Sequence, residues 1–237
     1  MSTAEEPQRV DLRGVKVYPF STADALIDFA DRRKGILVAI NAEKIANANK
    51  NTLSIINSNI AYCDGSGAVM AARQKGAQVE KIAGCELWLE IIKRFHGKKT
   101  FYIIGATPEV NKATVSKLHE EFPDIEIVGS RDGYIADDAA RHALIDDVAT
   151  KKPDVVFVAM GSPKQEFLMA DMLKRHKAIY QGLGGSFDVY TGKVKRAPKW
   201  WIDHNLEFAY RLIKQPKRIK RNLVYIKYAW WLLLRSF

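Results

Sequence analysis

The chain has 237 residues, 47% of them apolar, and carries 37 Lys and Arg against 27 Asp and Glu for a net charge of +10. This length suits one large α/β domain, alone or with an appendage, and the apolar content is that of a globular protein rather than a disordered one. No signal-peptide pattern and no long apolar span are visible, so a bilayer-spanning helix is not expected.

The charge is unevenly placed. Residues 1–192 carry 25 basic and 25 acidic side chains, whereas residues 193–237 carry 12 Lys and Arg against only Asp203 and Glu207. The chain therefore reads as a polar, disordered start (1–8), a neutral α/β body (9–192) and a basic appendage (193–237). Cys63 and Cys85 fall inside predicted elements without metal-ligand spacing, as ordinary thiols of a reducing cytoplasm do. The five histidines form no H-x-x-H or H-E-x-x-H pattern, so no metal site is predicted.

In chain order, Val15 to Phe20 reads as a first strand, and Ser21-Thr22-Ala23-Asp24 opens a helix to about Arg33. Gly35 to Ile40 is a buried strand ending on Asn41, which opens the next helix. Ile60 to Cys63 is a strand that stops on Asp64 and then Gly65 and Gly67, the small residues needed where a strand hands over to a helix. A helix over Gly67 to Arg73 follows, then an amphipathic helix from Gly84 to about Phe95. Thr100 to Ile104 is a strand, and Thr107 with Pro108 marks a helix start. Ile125 to Val128 is a strand leading to Gly129 through Tyr134, and a helix covers Asp137 to Thr150. Asp154 to Met160 is the most strand-like run, with Gly161-Ser162-Pro163-Lys164 as turn, cap and helix start. Ala178 to Gly182 is a last short strand running into Gly184-Gly185-Ser186-Phe187-Asp188. Strand and helix alternate about six times, which predicts a mostly parallel, Rossmann-like sheet with helices on both faces.

The polar residues fall just after strands, at Asn41, Asp64, Gly105, Gly129 to Tyr134, and Ser162 to Gln165. In a parallel sheet these loops share one edge, the place where such sheets bind ligands. Helix starts at Thr107 and Ser162 would aim N–H groups there and Lys164 would add a charge, which suits a diphosphate. A nucleotide or sugar nucleotide is the ligand this pattern favours. Neither G-x-G-x-x-G nor G-x-x-x-x-G-K-[ST] is present, which disfavours a dinucleotide or P-loop site. Each residue also has a plain structural reading. Asp64 would cap the helix after it, Asp188 would bond its own turn, and Glu43 and Glu166 would be helix-start charges.

Five motifs in order carry a resemblance: Asn41-Ala42-Glu43-Lys44, Tyr62-Cys63-Asp64-Gly65, Ile82-Ala83-Gly84, Ala159 through Glu166, and Gly184 through Asp188. They are similar to those of the WecG/TagA/CpsF glycosyltransferases, over about Leu12 to Leu223. Val38 through Lys44, Asp132-Gly133-Tyr134, Thr191 through Lys199 and Gln215 through Arg221 most resemble the branch serving enterobacterial common antigen. That branch transfers N-acetylmannosaminuronic acid from UDP to undecaprenyl-diphosphate-linked N-acetylglucosamine (lipid I). The teichoic-acid branch transfers neutral N-acetylmannosamine to the same acceptor.

The resemblance implies an inverting transfer with Asp64 as the base, a role worth roughly 10²–10⁴-fold. No acidic metal motif is in evidence and no cofactor is expected, the UDP sugar being substrate, so cations and helix N-termini must meet the charge on departing UDP. Arginines of the family's C-terminal segment match Arg211, Arg218 and Arg221, and Lys81 stands where relatives often have Arg. Asn41 matches a residue of the family's cleft, while Ala39 replaces a neighbouring Thr. Gly133 and Tyr134 are implied at uracil, Asp188 at ribose, and Gly105 and Gln165 along the cleft. Lys193, Lys195 and Arg196 are candidates to meet a donor carboxylate.

The appendage has its own physical reading. Pro216 through Asn222 is a basic cluster, and the uncharged run Tyr228 to Leu234 is only seven residues, far short of the ~20 that span a bilayer. Basic residues beside Trp and Leu suit a helix lying in the interface of an anionic membrane, at about 1 kcal/mol per charge. Together with the resemblance and its lipid-linked acceptor, this implies a peripheral seat at the cytoplasmic face of the inner membrane, where docking would complete the site. The alternatives are a Trp face packed on the body or on a second subunit. Other classes are a nucleic-acid binder, disfavoured because the charge sits on one terminal stretch without a known module, and a sugar-nucleotide binder without catalysis.

Overall fold

The computed structural model describes residues 6–195, 198, 200–201 and 219–237, with side chains in the last stretch from 224 onward. Its centre is a sheet of β3 (Gly35–Ile40), β4 (Ile60–Cys63), β5 (Thr100–Gly105), β6 (Glu126–Arg131), β7 (Val155–Ala159) and β8 (Ile179–Gly182). All neighbours pair in parallel, in the order β4-β3-β8-β7-β5-β6. The Rossmann-like α/β fold expected from the alternation is the fold found.

The strands read as continuous apolar runs because helices cover both faces. In β7 every residue is buried. Val156 and Val158 enter one core layer, and Val155, Phe157 and Ala159 the other. The second layer also receives α1 (Ala23–Arg33), α5 (Gly84–Phe95), α6 (Pro108–Glu121) and α9 (Ser186–Tyr190). The first receives α2 (Ala42–Ala46), α3 (Lys50–Ser58), α4 (Ser66–Gln74), α7 (Asp138–Lys151), α8 (Lys164–Arg175) and α10 (Ile219–Leu233).

Local chemistry sets most of the helix starts. The side chains of Thr22, Asn41, Thr107 and Asp137 accept from the backbone N–H of Ala25, Lys44, Val110 and Ala140, satisfying donors the helix itself leaves open. Ser162 does not act this way. The cap of α8 is Pro163, which makes no side-chain hydrogen bond, and Ser162 lies exposed one residue earlier.

Three further elements differ from the sequence reading, among them β6, which runs on through Gly129 to Arg131 rather than ending at Val128. The first strand is a hairpin of β1 (Val10–Leu12) with β2 (Val15–Val17), shorter than Val15 to Phe20 and separate from the main sheet. Gly14, at φ 88, makes its turn and donates to Asp11 Oδ1 at 2.6 Å. The helix α3 is new; it starts from a capping box in which Asn49 and Thr52 satisfy each other's backbone. Of the segment expected to be disordered, Glu6 meets the Tyr18 hydroxyl, while residues 1–5 lie outside the described residues.

The terminal helix α10 packs on α2 and α4. Tyr228 is buried and its hydroxyl donates to the Gly67 carbonyl at 3.1 Å. Beyond it, Arg13 lies 4.0 Å over the Trp231 ring and donates to the Ser236 carbonyl at 2.7 Å. Ile226, Trp230, Leu233 and Leu234 face away from the body and are exposed.

Candidate active site

Six parallel strands present six carboxyl ends on one edge. From Asp64 after β4 to Asp132 after β6 the row covers five inter-strand steps, roughly 24 Å at ~4.8 Å each. The connection from β5 runs outward to β6, and that from β7 runs the other way to β8. The chain thus reverses between β5 and β7, and the crevice at such a reversal is where open α/β sheets take ligands.

Backbone lines this crevice. Gly105 has φ 127, and an added Cβ would lie 2.3 Å from the Ala159 oxygen, so only glycine fits. Ala106 follows at φ 59, a left-handed conformation unusual for a residue with a Cβ. Its N–H donates to Ala159 O at 3.0 Å and its carbonyl accepts the Gly133 N–H at 2.9 Å. Gly133 is itself close against Ala106, Gly105 and Met160. Tyr134 stands at the rim, 67% exposed, its N–H bonded to Asp132 Oδ1 at 2.8 Å.

Gln165 shapes the middle of the row from inside. It is 4% exposed, and its Oε1 accepts from Gly161 N at 3.1 Å and Gly184 N at 3.0 Å, tying the loops after β7 and β8 together. Ser162 and Lys164 are exposed on the same turn. Glu166 is buried and pairs with Lys44 of α2 at 2.7 Å.

At the other end Asn41 and Asp64 follow neighbouring strands. Asn41 caps α2 through Oδ1 and packs against Gly65, where a Cβ would come within 3.0 Å of its own. The Asp64 N–H donates to Ile40 O at 2.9 Å, so the carboxylate leaves the sheet beside Asn41. Its Oδ1 accepts the N–H of Gly84, first residue of α5, at 2.6 Å. Asp64 is therefore held by a helix N-terminus, an arrangement that favours a carboxylate's charged form. Burial, and then the Asp64 charge, push the adjacent Cys63 thiol up to about 12, which leaves it a packing group.

The predicted residues thus form one row: Asn41 and Asp64 together at one end, Ser162, Lys164 and Gln165 between, and Gly105, Gly133 and Tyr134 together at the other. Lys81 is exposed on the segment entering α5, and Asp188 is half-buried in the first turn of α9. Arg211 and Arg218 lie outside the described residues, and of Arg221 only the helical backbone is described. Sequence reasoning did not find Gly84 as the donor to Asp64, Lys44 as the partner of Glu166, or Ala106. The Gly84 and Lys44 motifs were visible, but their contacts were not.

Open α/β sheets take ligands at a reversal crevice of this kind, and here the Asp64 carboxylate stands on the same edge. The family model described as Glycosyl transferase WecG/TagA/CpsF family matches residues 10–237. The chain belongs to this family and is a glycosyltransferase.

Proposed function

We propose that the protein moves N-acetylmannosaminuronic acid from UDP to undecaprenyl-diphosphate-linked N-acetylglucosamine, with inversion. The observation that carries this reading is the placement of Asp64, whose carboxylate accepts the Gly84 N–H at 2.6 Å on the sheet's ligand edge. Asp64 takes the proton of the acceptor hydroxyl as that oxygen attacks the anomeric carbon. The bond from that carbon to the diphosphate oxygen breaks, and UDP leaves with the electron pair. The long row of loops suits two substrates side by side, the donor over the β5–β7 crevice and the acceptor near Asn41.

In this reading Gly133 and Tyr134 meet uracil and Asp188 the ribose. Ser162, Lys164, Lys81 and the appendage arginines Arg211, Arg218 and Arg221 are the candidates to meet the charge that develops on the departing diphosphate. The branch motifs around Asp132 and Lys193 support the acidic donor. The outward face of α10 supports a peripheral seat on an anionic membrane at the cytoplasmic side, where the lipid acceptor resides. Among the described residues no helix is long and apolar enough to cross a membrane.

The test is transfer to a lipid-linked N-acetylglucosamine diphosphate acceptor, with UDP-N-acetylmannosaminuronic acid and UDP-N-acetylmannosamine offered separately. The acidic donor alone should turn over, and Asp64→Asn should lower kcat by about 10²–10⁴-fold. Turnover of the neutral donor alone would assign the teichoic-type reaction instead, and turnover of neither would overturn the proposal.

A further inference from the structure

Polar atoms with no role in the proposed transfer are gathered beneath Asp64. Tyr62 and Gln181 are both fully buried, and neither Tyr62 Oη nor Gln181 Oε1 completes a hydrogen bond. The strands that carry them flank β3, with Tyr62 opposite Ala39 and Gln181 opposite Leu37. Residues 37 and 39 point to the same face of a strand, so hydroxyl and amide share the apolar layer under α5. Buried polar atoms left unsatisfied are costly, and aliphatic side chains would fill this space without that cost. Core packing alone does not account for them.

What they surround is Gly84. Its N–H donates to Asp64 Oδ1 at 2.6 Å, and its carbonyl accepts from Gln181 Nε2 at 3.0 Å. A Cβ added at Gly84 would lie 2.8 Å from Tyr62 Oη, 3.4 Å from Asp64 Oδ1 and 3.5 Å from Ala39 Cβ. The residue is thus gripped at both backbone groups and roofed at its α-carbon.

We propose that Gln181 and Tyr62 are positioning residues for the base. Gln181 fixes Gly84 through its carbonyl, and Tyr62 closes the space over its α-carbon. The N–H fixed in this way holds the Asp64 carboxylate in the orientation that takes the acceptor's proton. Burial, and then the negative charge of Asp64, keep the Tyr62 hydroxyl protonated far above the usual phenol range, so it remains a neutral group at any working pH. This inference rests on the reading of Asp64 as base, and its test has a readout independent of turnover.

Ala83-Gly84 is the only Ala-Gly pair in the sequence. Labelling with carbonyl-¹³C alanine and ¹⁵N glycine therefore selects the Gly84 amide alone, while the other glycine amides report the fold. Titration between about pH 3 and 7 should move the Gly84 proton in the wild type and leave it still in Asp64→Asn. The second arm separates Asp64 from Glu86, in the same first turn of α5, and Tyr62, Cys63 and Cys85 are neutral over this range.

In Gln181→Leu and Gln181→Met the Gly84 proton should shift upfield and its titration should weaken. The kcat should fall by about 10- to 100-fold, with KM for the donor little changed. Tyr62→Phe should act in the same direction and keeps the test open if either Gln181 variant fails to fold. An unchanged Gly84 amide in a folded variant overturns the proposal, whatever the activity does. So does an altered amide with full kcat. A wild type whose Gly84 amide tracks Asp64 but which transfers no sugar would sink the functional reading and leave the coupling of Gln181, Gly84 and Asp64 standing.

Discussion

Lys44 Nζ and Glu166 Oε1 form an ion pair of 2.7 Å between α2 and α8, the helices that leave β3 and β7 on either side of β8. The Glu166 side chain is 9% exposed and that of Lys44 20%, and the second carboxylate oxygen of Glu166 is buried without a partner. Removing one member of a buried pair leaves the other charge uncompensated, at roughly 3–5 kcal/mol when both are deep. With Lys44 partly solvated, Glu166→Leu should cost about 3 kcal/mol and lower Tm by about 6–12 °C. The double variant Lys44→Met with Glu166→Leu should recover more than half of the loss. Thermal unfolding followed by circular dichroism checks both, and additive losses would show that the pair is not coupled.

Gly105 and Gly161 both have positive φ, 127° and 79°, but differ in their surroundings. A Cβ at Gly105 would meet the Ala159 backbone at 2.3 Å, whereas nothing lies within 4 Å of one at Gly161. Gly161→Ala should cost only the backbone strain, about 1–2 kcal/mol, and give a folded protein. Gly105→Ala must separate β5 from β7 and should yield little soluble protein. Expression and melting of the two variants side by side would decide this. Equal stability would mean that the β5–β7 crevice is more yielding than its backbone contacts require.

The two faces of α10 should respond differently to substitution. Tyr228 is buried against Gly67, whereas Trp230 and Leu233 are 61% and 73% exposed. Tyr228→Ala should cost about 3 kcal/mol, the lower end for loss of a large aromatic from a core. Trp230→Ser with Leu233→Ser should change stability by within about 0.5 kcal/mol. The same pair should weaken flotation with anionic vesicles about tenfold or more, since each side chain buried in the interface contributes roughly 1.5–3 kcal/mol. Unchanged flotation in the exposed-face variant would show that this face of α10 does not bind membranes.

Much of the architecture was legible because it is decided within a turn or a strand. The apolar runs at Gly35–Ile40 and Val155–Ala159 announced buried strands, since only a sheet covered on both faces tolerates such sequences. Thr22, Asn41 and Thr107 announced helix starts, since each cap reaches a backbone N–H three residues on. Asp64 was placed at the ligand edge for the same local reason: it follows an apolar run and precedes two glycines. The proline at 163 broke the pattern at Ser162, where sequence alone read a cap, and α3 is only nine residues long, so its apolar side chains Leu53, Ile55 and Ile56 give too short a stripe to read.

By itself, then, the sequence determined the class of fold, the placement of Asn41 and Asp64 on the carboxyl edge of the sheet and the basic character of the C-terminal segment, because composition, period and capping are properties of neighbours along the chain. The strand order was decided only in three dimensions, and with it the distance from Asp64 to Tyr134. The contacts that build the site were decided there too. Gln165 reaches Gly184 across 19 residues, Gly84 reaches Asp64 across 20, Gln181 reaches Gly84 across 97 and Lys44 reaches Glu166 across 122. No local preference selects such partners. They meet because two core layers lock six strands into one register, and that register is a property of the packed sheet.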